Sequence, residues 1–109
     1  MFQVLYLQNN KLKQLPSSIG SLKNLQTLNL SHNSLKDLSA VISGCVNLRT
    51  LDLRNNPKLK QIPKEIAHLK CLETLLLDEE HITFPDPQTA KQGTEAIMRL
   101  LCKGNKTHF

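Results

Sequence analysis

Four stretches of the chain repeat one hydrophobic phrase. With Phe2, Leu25, Leu48 and Leu72 as first positions, leucines recur three residues on (Leu5, Leu28, Leu51, Leu75) and five on (Leu7, Leu30, Leu53, Leu77). Eight positions on stand Asn10, Asn33, Asn56 and Glu80. The spacings are 23, 23 and 24, the extra residue falling in "NNPKL", where Leu59 stands one place late. Alternation of leucines with polar residues puts the leucines on one face, so each phrase predicts a short strand with one buried side. A fixed period of this length is the mark of stacked turns that bury a common core.

Each column of the repeat has a physical role. An asparagine amide donates and its carbonyl accepts, so Asn10, Asn33 and Asn56 are expected to form a ladder that satisfies backbone groups where the chain leaves the strand. Glu80 breaks the ladder, because an ionised carboxylate only accepts; this suits a terminal turn. The return segments "LPSSIGSL", "LSAVISGC" and "IPKEIAHL" send Leu15, Ile19, Leu22 and their equivalents, Cys45 and Leu69 included, into the core. Cys45 replaces a leucine and reads as a small buried hydrophobe.

After residue 84 the pattern becomes helical in "FPDPQTAKQGTEAIMRLLCKG". Asp86-Pro87 reads as a helix cap followed by proline at the first helical position, with Gly93 ending that turn. Thr94 is expected to cap a second helix whose Ile97, Leu100 and Leu101 share a face and cover the open end of the leucine core.

The L-x-x-L-x-L-x-x-N-x-L phrase, present four times in register, identifies the chain as similar to the leucine-rich repeat family. That resemblance implies an α/β right-handed solenoid, a short horseshoe segment with a parallel sheet on its concave face. The expected division is four repeats over 1–84, starting at about 1, 25, 48 and 72, and capping helices and tail over 85–109. The "LPxxIGxL" return at Leu15–Leu22 resembles intracellular scaffolds of 23-residue type. The tail phrase Gly93, Ala96, Ile97, Leu100 resembles the cap of leucine-rich-repeat and sterile-alpha-motif RING ubiquitin ligases, and also of the Roc-GTPase family. In such ligases the repeats recognise and a separate RING catalyses. This chain departs from them in Pro85-Asp86-Pro87 and in having no zinc-spaced Cys/His set, so the resemblance implies a recognition role without ligase chemistry.

Composition narrows the reading. At 109 residues and 39% hydrophobic the chain holds one modest core. No apolar run approaches the roughly 20 residues of a membrane span. Cys45, Cys71 and Cys102 form neither an even disulfide set nor a metal knuckle, which suits reduced thiols in the cytoplasm. The triplets Asn29-Leu30-Ser31 and Asn105-Lys106-Thr107 are read as chance rather than as glycan acceptors. The net charge of +5 is uneven: residues 1–70 carry ten Lys/Arg against three Asp/Glu, and residues 71–109 four against six.

Two surfaces emerge as candidates for contact with a protein partner. The outward strand positions form columns: Val4, Thr27, Thr50, Thr74; Tyr6, Asn29, Asp52, Leu76; Gln8, Ser31, Arg54, Asp78; and Asn9, His32, Asn55, Glu79. The core does not need these side chains. Tyr6, Gln8, Asn29, His32, Asp52, Arg54, Leu76 and Asp78 are the candidate contacts, with Tyr6 and Leu76 as apolar anchors. The second surface is a basic ridge of Lys11, Lys13, Lys36, Lys58 and Lys60, suited to an acidic protein or a phosphate backbone. One tyrosine and little arginine disfavour nucleic acid.

Enzyme chemistry is not indicated. His32, His68, His81 and His108 have no metal-ligand spacing, the glycines form no phosphate loop, and no cofactor motif occurs. Neighbouring Glu79, Glu80 and His81 would alternate between faces. The opening "MFQVLYLQNN" places a strand at the start with no polar turn before it. The expectation drawn from it is the last part of a longer array; a homodimer through that strand and a turn supplied by a partner stand as alternatives.

Overall fold

The computed structural model describes residues 3–105, with the side chains of 103–105 left aside. Phe2, Lys106, Thr107 and His108, each used in the reading above, lie outside the described residues. Four short strands, β1 (Gln3–Tyr6), β2 (Leu25–Asn29), β3 (Thr50–Asp52) and β4 (Thr74–Leu76), form one parallel sheet in the order of the sequence. Its register follows the repeat: Leu5 faces Leu28, Leu28 faces Leu51, and Leu51 faces Leu75. The first three strands return through 3-10 segments, Ser17–Ser21, Ala40–Gly44 and Lys64–His68. The chain is an α/β solenoid, closed by α1 (Pro87–Lys91) and α2 (Thr94–Asn105).

The core lies between the sheet and the return segments. Leu28 and Leu51 enter it from the strands, Leu30 and Leu53 from just past their ends, and Ile19, Ile42, Ile66, Cys45 and Leu69 from the opposite side. Cys45 is fully buried and its Sγ lies 3.1 Å from the Ile19 carbonyl. Burial pushes its thiol pKa up, which leaves it a neutral packing group. Gly44 is required by a close approach: a methyl group there would overlap the Gly20 carbonyl of the preceding turn.

Leu22 departs from expectation. It is 36% exposed, although its equivalents Cys45 and Leu69 are fully buried. Cys45 has a turn on both sides, whereas Leu22 in the first turn has a neighbour on one side only. For the same reason Leu5, Leu7 and Leu12 are partly buried while Leu28, Leu30 and Leu35 are completely so.

At the other end, α2 closes the core. Asp86 caps α1 by accepting from Thr89 N (3.2 Å) and Thr89 Oγ1 (2.7 Å), with Pro87 at the first helical position. The hydrogen bond from Thr89 holds the Asp86 carboxyl below its ordinary range. Gly93 then turns the chain with φ +102°, and α2 buries Ile97 and Leu101 against the last turns. Leu100 is only half-buried; Met98 and Cys102 complete the packing face instead. Thr94 differs from its expected role too. Its hydroxyl accepts from Leu75 N (2.8 Å), so it fastens the cap to β4.

The asparagines link the turns. Asn33 Nδ2 donates to the carbonyls of Leu30 (3.1 Å) and Ser31 (3.3 Å) in its own turn and of Leu7 (2.9 Å) in the preceding one. Its Oδ1 accepts from Asn10 N (3.0 Å) and Leu12 N (2.9 Å). Asn56, only 2% exposed, repeats the pattern toward Leu30 and Leu35. Asn10 is exposed and serves only its own turn, through Leu7 and Gln8.

Leu53→Ala is expected to lower stability by about 2–5 kcal/mol, the cost of a cavity at a buried leucine. Asn56→Ala should cost about 3 kcal/mol, because it orphans buried backbone groups in two turns, and Asn10→Ala less than about 1 kcal/mol. Urea melts of the three variants check this ordering. Equal losses at Asn10 and Asn56 would show that the asparagines do not couple the turns.

Candidate functional site: the concave sheet face

The outward side chains of the four strands stand in the expected columns. Val4, Thr27, Thr50 and Thr74 are in register across the sheet, and so are Tyr6, Asn29, Asp52 and Leu76. With parallel strands about 4.8 Å apart, Tyr6 and Leu76 lie roughly 14 Å apart at opposite ends of their column. Tyr6 is 64% exposed, the most open large apolar side chain described, whereas Leu76 is partly buried. The two apolar candidates therefore do not form one patch. The Asp52–Arg54 pair stands between them.

That pair changes the reading of Asp52. It lies on the outward column yet is only 6% exposed. Arg54 covers it, with Nε to Oδ1 at 3.0 Å and Nη2 to Oδ2 at 2.8 Å, and Arg54 N also donates to Oδ1 at 3.1 Å. Asn29 acts likewise one turn earlier, accepting at Oδ1 from Ser31 N (3.0 Å) and Ser31 Oγ (2.7 Å). In both places an Asx residue at the strand end bonds the residue two positions on, a local turn that stops the strand. Asp52 and Asn29 are thus engaged in ending their strands, and Ser31, like Asp52, is buried. Arg54 keeps half of its side chain exposed and oriented for contact.

Burial pushes the Asp52 carboxyl up, but the hydrogen bonds and charge of Arg54, with a smaller contribution from His32, hold it below its ordinary value. The same hydrogen bond and charge from Asp52 raise Arg54, and Asp78 adds to the effect. The pair is ionised throughout the neutral range.

The rim beyond the strands is shaped by backbone conformation. Asn9 (φ 63°), His32 (φ 56°) and Asn55 (φ 61°) occupy equivalent positions in the left-handed region, which asparagine and histidine tolerate better than most residues. That requirement, which the spacing alone does not display, applies to the first three members of this column. His32 and Asn55 meet, Nε2 to Nδ2 at 3.1 Å, and the Asp78 carboxylate accepts from Asn55 N. The structure therefore gathers His32, Asp52, Arg54, Asn55 and Asp78 at the centre of the face. Gln8 is half-buried at the β1 edge, with its Oε1 unpaired among the described residues.

Beside Asp78 an open hollow of about 270 Å³ is lined by Asn55, Leu77, Glu79, Glu80 and His81. Glu80 stands where the earlier turns have asparagine. Here the backbone closes the turn itself, with His81 N and Ile82 N donating to the Asp78 carbonyl. Among the described residues no group of three or more His, Cys, Asp or Glu is placed to hold a metal ion. No described helix is long and apolar enough to cross a membrane.

A leucine-rich-repeat family model matches residues 2–57, and a second leucine-rich-repeat model matches residues 47–69. Among solved structures, a leucine-rich-repeat protein of Leptospira interrogans is 41% identical with a TM-score of 0.63, over 73% of this chain and 24% of that one. A plant peptide hormone receptor, solved in complex with its hormone, is 28% identical with a TM-score of 0.49, over 69% of this chain and 16% of the receptor. The chain thus spans about a quarter or less of these structures' lengths. No curated protein matches.

Asp52→Asn keeps the acceptor that Asn29 uses and removes only the charge. Asp52 has a depressed folded pKa, so its stabilisation is present above its unfolded value of about 3.8 and is lost as pH falls through the lower folded value. Urea midpoints of wild type and Asp52→Asn should therefore differ at neutral pH and converge below about pH 4. A gap that persists at the acid end would remove the ion pair as its cause.

Proposed function

We propose that this chain, which belongs to the leucine-rich-repeat family, is a non-enzymatic module that recognises a protein partner on its concave sheet face. The observation that carries the reading is the set of ordered outward side chains that the core does not use. Tyr6 stands open at one end, Arg54 is held by Asp52 at the centre, and Thr27, Thr50 and Thr74 run alongside. Aromatic and arginine side chains held rigidly on a sheet lose little entropy on binding, which suits them as anchors. Three free cysteines, one of them exposed, suit a reducing compartment and so a cytoplasmic scaffold.

The resemblance of the Gly93, Ala96, Ile97, Leu100 phrase to a ligase cap gives this reading a narrower form. Gly93 in its turn conformation, followed by Ile97 and Leu101 packed on the last repeats, supports a substrate-recognition part whose RING catalysis would lie elsewhere in a larger protein. A second reading, self-association through β1, rests on a different observation: Val4 and Tyr6 are exposed on a strand that, among the described residues, pairs with β2 alone.

A partner captured from cytosolic extract and then purified should bind wild type at least about tenfold more tightly than a folded Tyr6→Ala, Arg54→Ala variant. Unchanged affinity would exclude the concave face as the contact surface. Light scattering after gel filtration separates the self-association reading: a monomer at high micromolar concentration rejects it.

A further inference from the structure

The edge by which the chain leaves the sheet carries five lysines that no described residue neutralises. Lys13, Lys36 and Lys60 each follow an inward leucine (Leu12, Leu35, Leu59), so they hold one position in three successive turns. Lys11 and Lys58 precede two of those leucines. The backbone ties the turns together at this place, with Ser34 N donating to the Leu12 carbonyl (2.8 Å) and Thr83 N to the Lys60 carbonyl (2.7 Å). Turns stacked at about 5 Å set Lys13, Lys36 and Lys60 at successive positions along one edge.

All five lysines are exposed, and neither ion pair among the described residues involves a lysine. Lys23 forms a contrast, its Nζ being spent on the carbonyls of Gly20 (3.2 Å) and Gly44 (3.1 Å). An open groove of about 420 Å³ separates Lys13 from Lys36, with Gln14, Leu15, Asp37 and Ser39 completing its lining. At the far end of the ridge Phe84 is 42% exposed, and its N–H donates to the Lys60 carbonyl.

We propose that this edge docks an acidic segment of a partner protein, laid across the turns. One carboxylate enters between Lys13 and Lys36, later ones meet Lys60 and Lys58, and an apolar side chain rests on Phe84. Like charges set along one edge repel one another, and an anion lying across them replaces repulsion with attraction. The remaining features favour a peptide. The ridge holds no arginine, and its one aromatic stands at the end where no series of bases can stack. Gln14 and Ser39 offer hydrogen bonds of the kind a polypeptide backbone uses. This surface is separate from the concave face and does not depend on its role.

The test uses the whole chain and a fluorescent glutamate-rich peptide containing one leucine, read by anisotropy. Two variants carry the same change in net charge: Lys13→Glu, Lys36→Glu, Lys60→Glu on the ridge, and Lys64→Glu, Lys70→Glu, Lys91→Glu away from it. The ridge variant should bind about tenfold or more weakly and the control less than about threefold, with the difference fading as salt rises. Phe84→Ser should weaken binding by a factor that salt does not change. Equal loss in both charge variants would reduce the effect to net charge. A single-stranded oligonucleotide, or vesicles containing phosphatidylserine, bound more tightly than the peptide would overturn the assignment to a protein partner. Absence of peptide binding to wild type at low salt would end it.

Discussion

The structure depends on how a chain can leave a buried strand without stranding its own backbone. Each turn must swing away from the sheet within a few residues, too short a distance for a helix or a second ladder to absorb the freed groups. The buried asparagine solves this across turns. Asn33 donates to its own Leu30 and Ser31 carbonyls and to Leu7 one turn earlier, and its carbonyl receives the N–H groups of Asn10 and Leu12. Asn56 gives the same service to the second turn. A leucine or serine there would leave donors and acceptors without water or partners, at roughly 1–3 kcal/mol for each. The coupling runs one way, because Asn33 and Asn56 each satisfy their own turn and the one before it. Glu80 cannot continue it for the third turn, and that turn is served by Asp78 at Asn55 N and by Thr83 N at the Lys60 carbonyl.

Directional coupling explains why the two ends differ. The last turn has no asparagine reaching back to it, so its strand needs another donor and acceptor and its leucines another cover. Helix α2 supplies both. The Thr94 hydroxyl takes the Leu75 N–H, while Ile97 and Leu101 bury against the core. At β1 the inward leucines remain half-buried, and Asn10 turns its amide only to its own turn. Burying a leucine fully is worth about 1.5–3 kcal/mol, so Leu5, Leu7 and Leu12 hold a reserve of stability that the central leucines have already realised.

Strand register, leucine core and asparagine links were legible because each rests on a position that recurs in several turns. One column read three or four times averages away local accident. Leu22 and Leu100 escaped this logic: the column says which way a side chain points, and only the neighbouring turn says whether anything covers it. Thr94 was misjudged because capping is a local rule, and an unpaired strand N–H nearby claimed its hydroxyl. At the concave face the period identified outward positions but not their other commitments. Asp52 and Asn29 looked free, yet each ends its strand by bonding the residue two places on. That signal was present in Asn29-x-Ser31 and Asp52-x-Arg54, where an Asx residue precedes a turn. The left-handed backbone at Asn9, His32 and Asn55 was not legible from spacing, although repeated Asn and His at one place are the residues such a backbone tolerates.

These commitments divide the concave face into two kinds of position. Asn29, Asp52, Asn9 and Asn55 answer to the turn, so changing them alters the scaffold together with any contact. Tyr6, Thr27, Thr50, Thr74 and the guanidinium of Arg54 answer to no backbone requirement beyond facing outward. On the proposed concave-face role, substitutions in this second group change the contact surface at little cost to the fold. Arg54 is the point where the two groups meet. Its backbone and Nε are bound to Asp52, which sets the angle of the side chain, while half of it stays in solvent. An arginine held in this way presents its remaining donors at low entropic cost but with part of its charge already answered. It therefore favours partners that offer hydrogen-bond acceptors in a defined geometry over those that offer negative charge alone. The lysines on the opposite edge have the converse character, with their charge unanswered and their geometry unconstrained. Under the two proposals, selectivity by shape on one face and attraction by charge on another are tuned independently, because no side chain serves both.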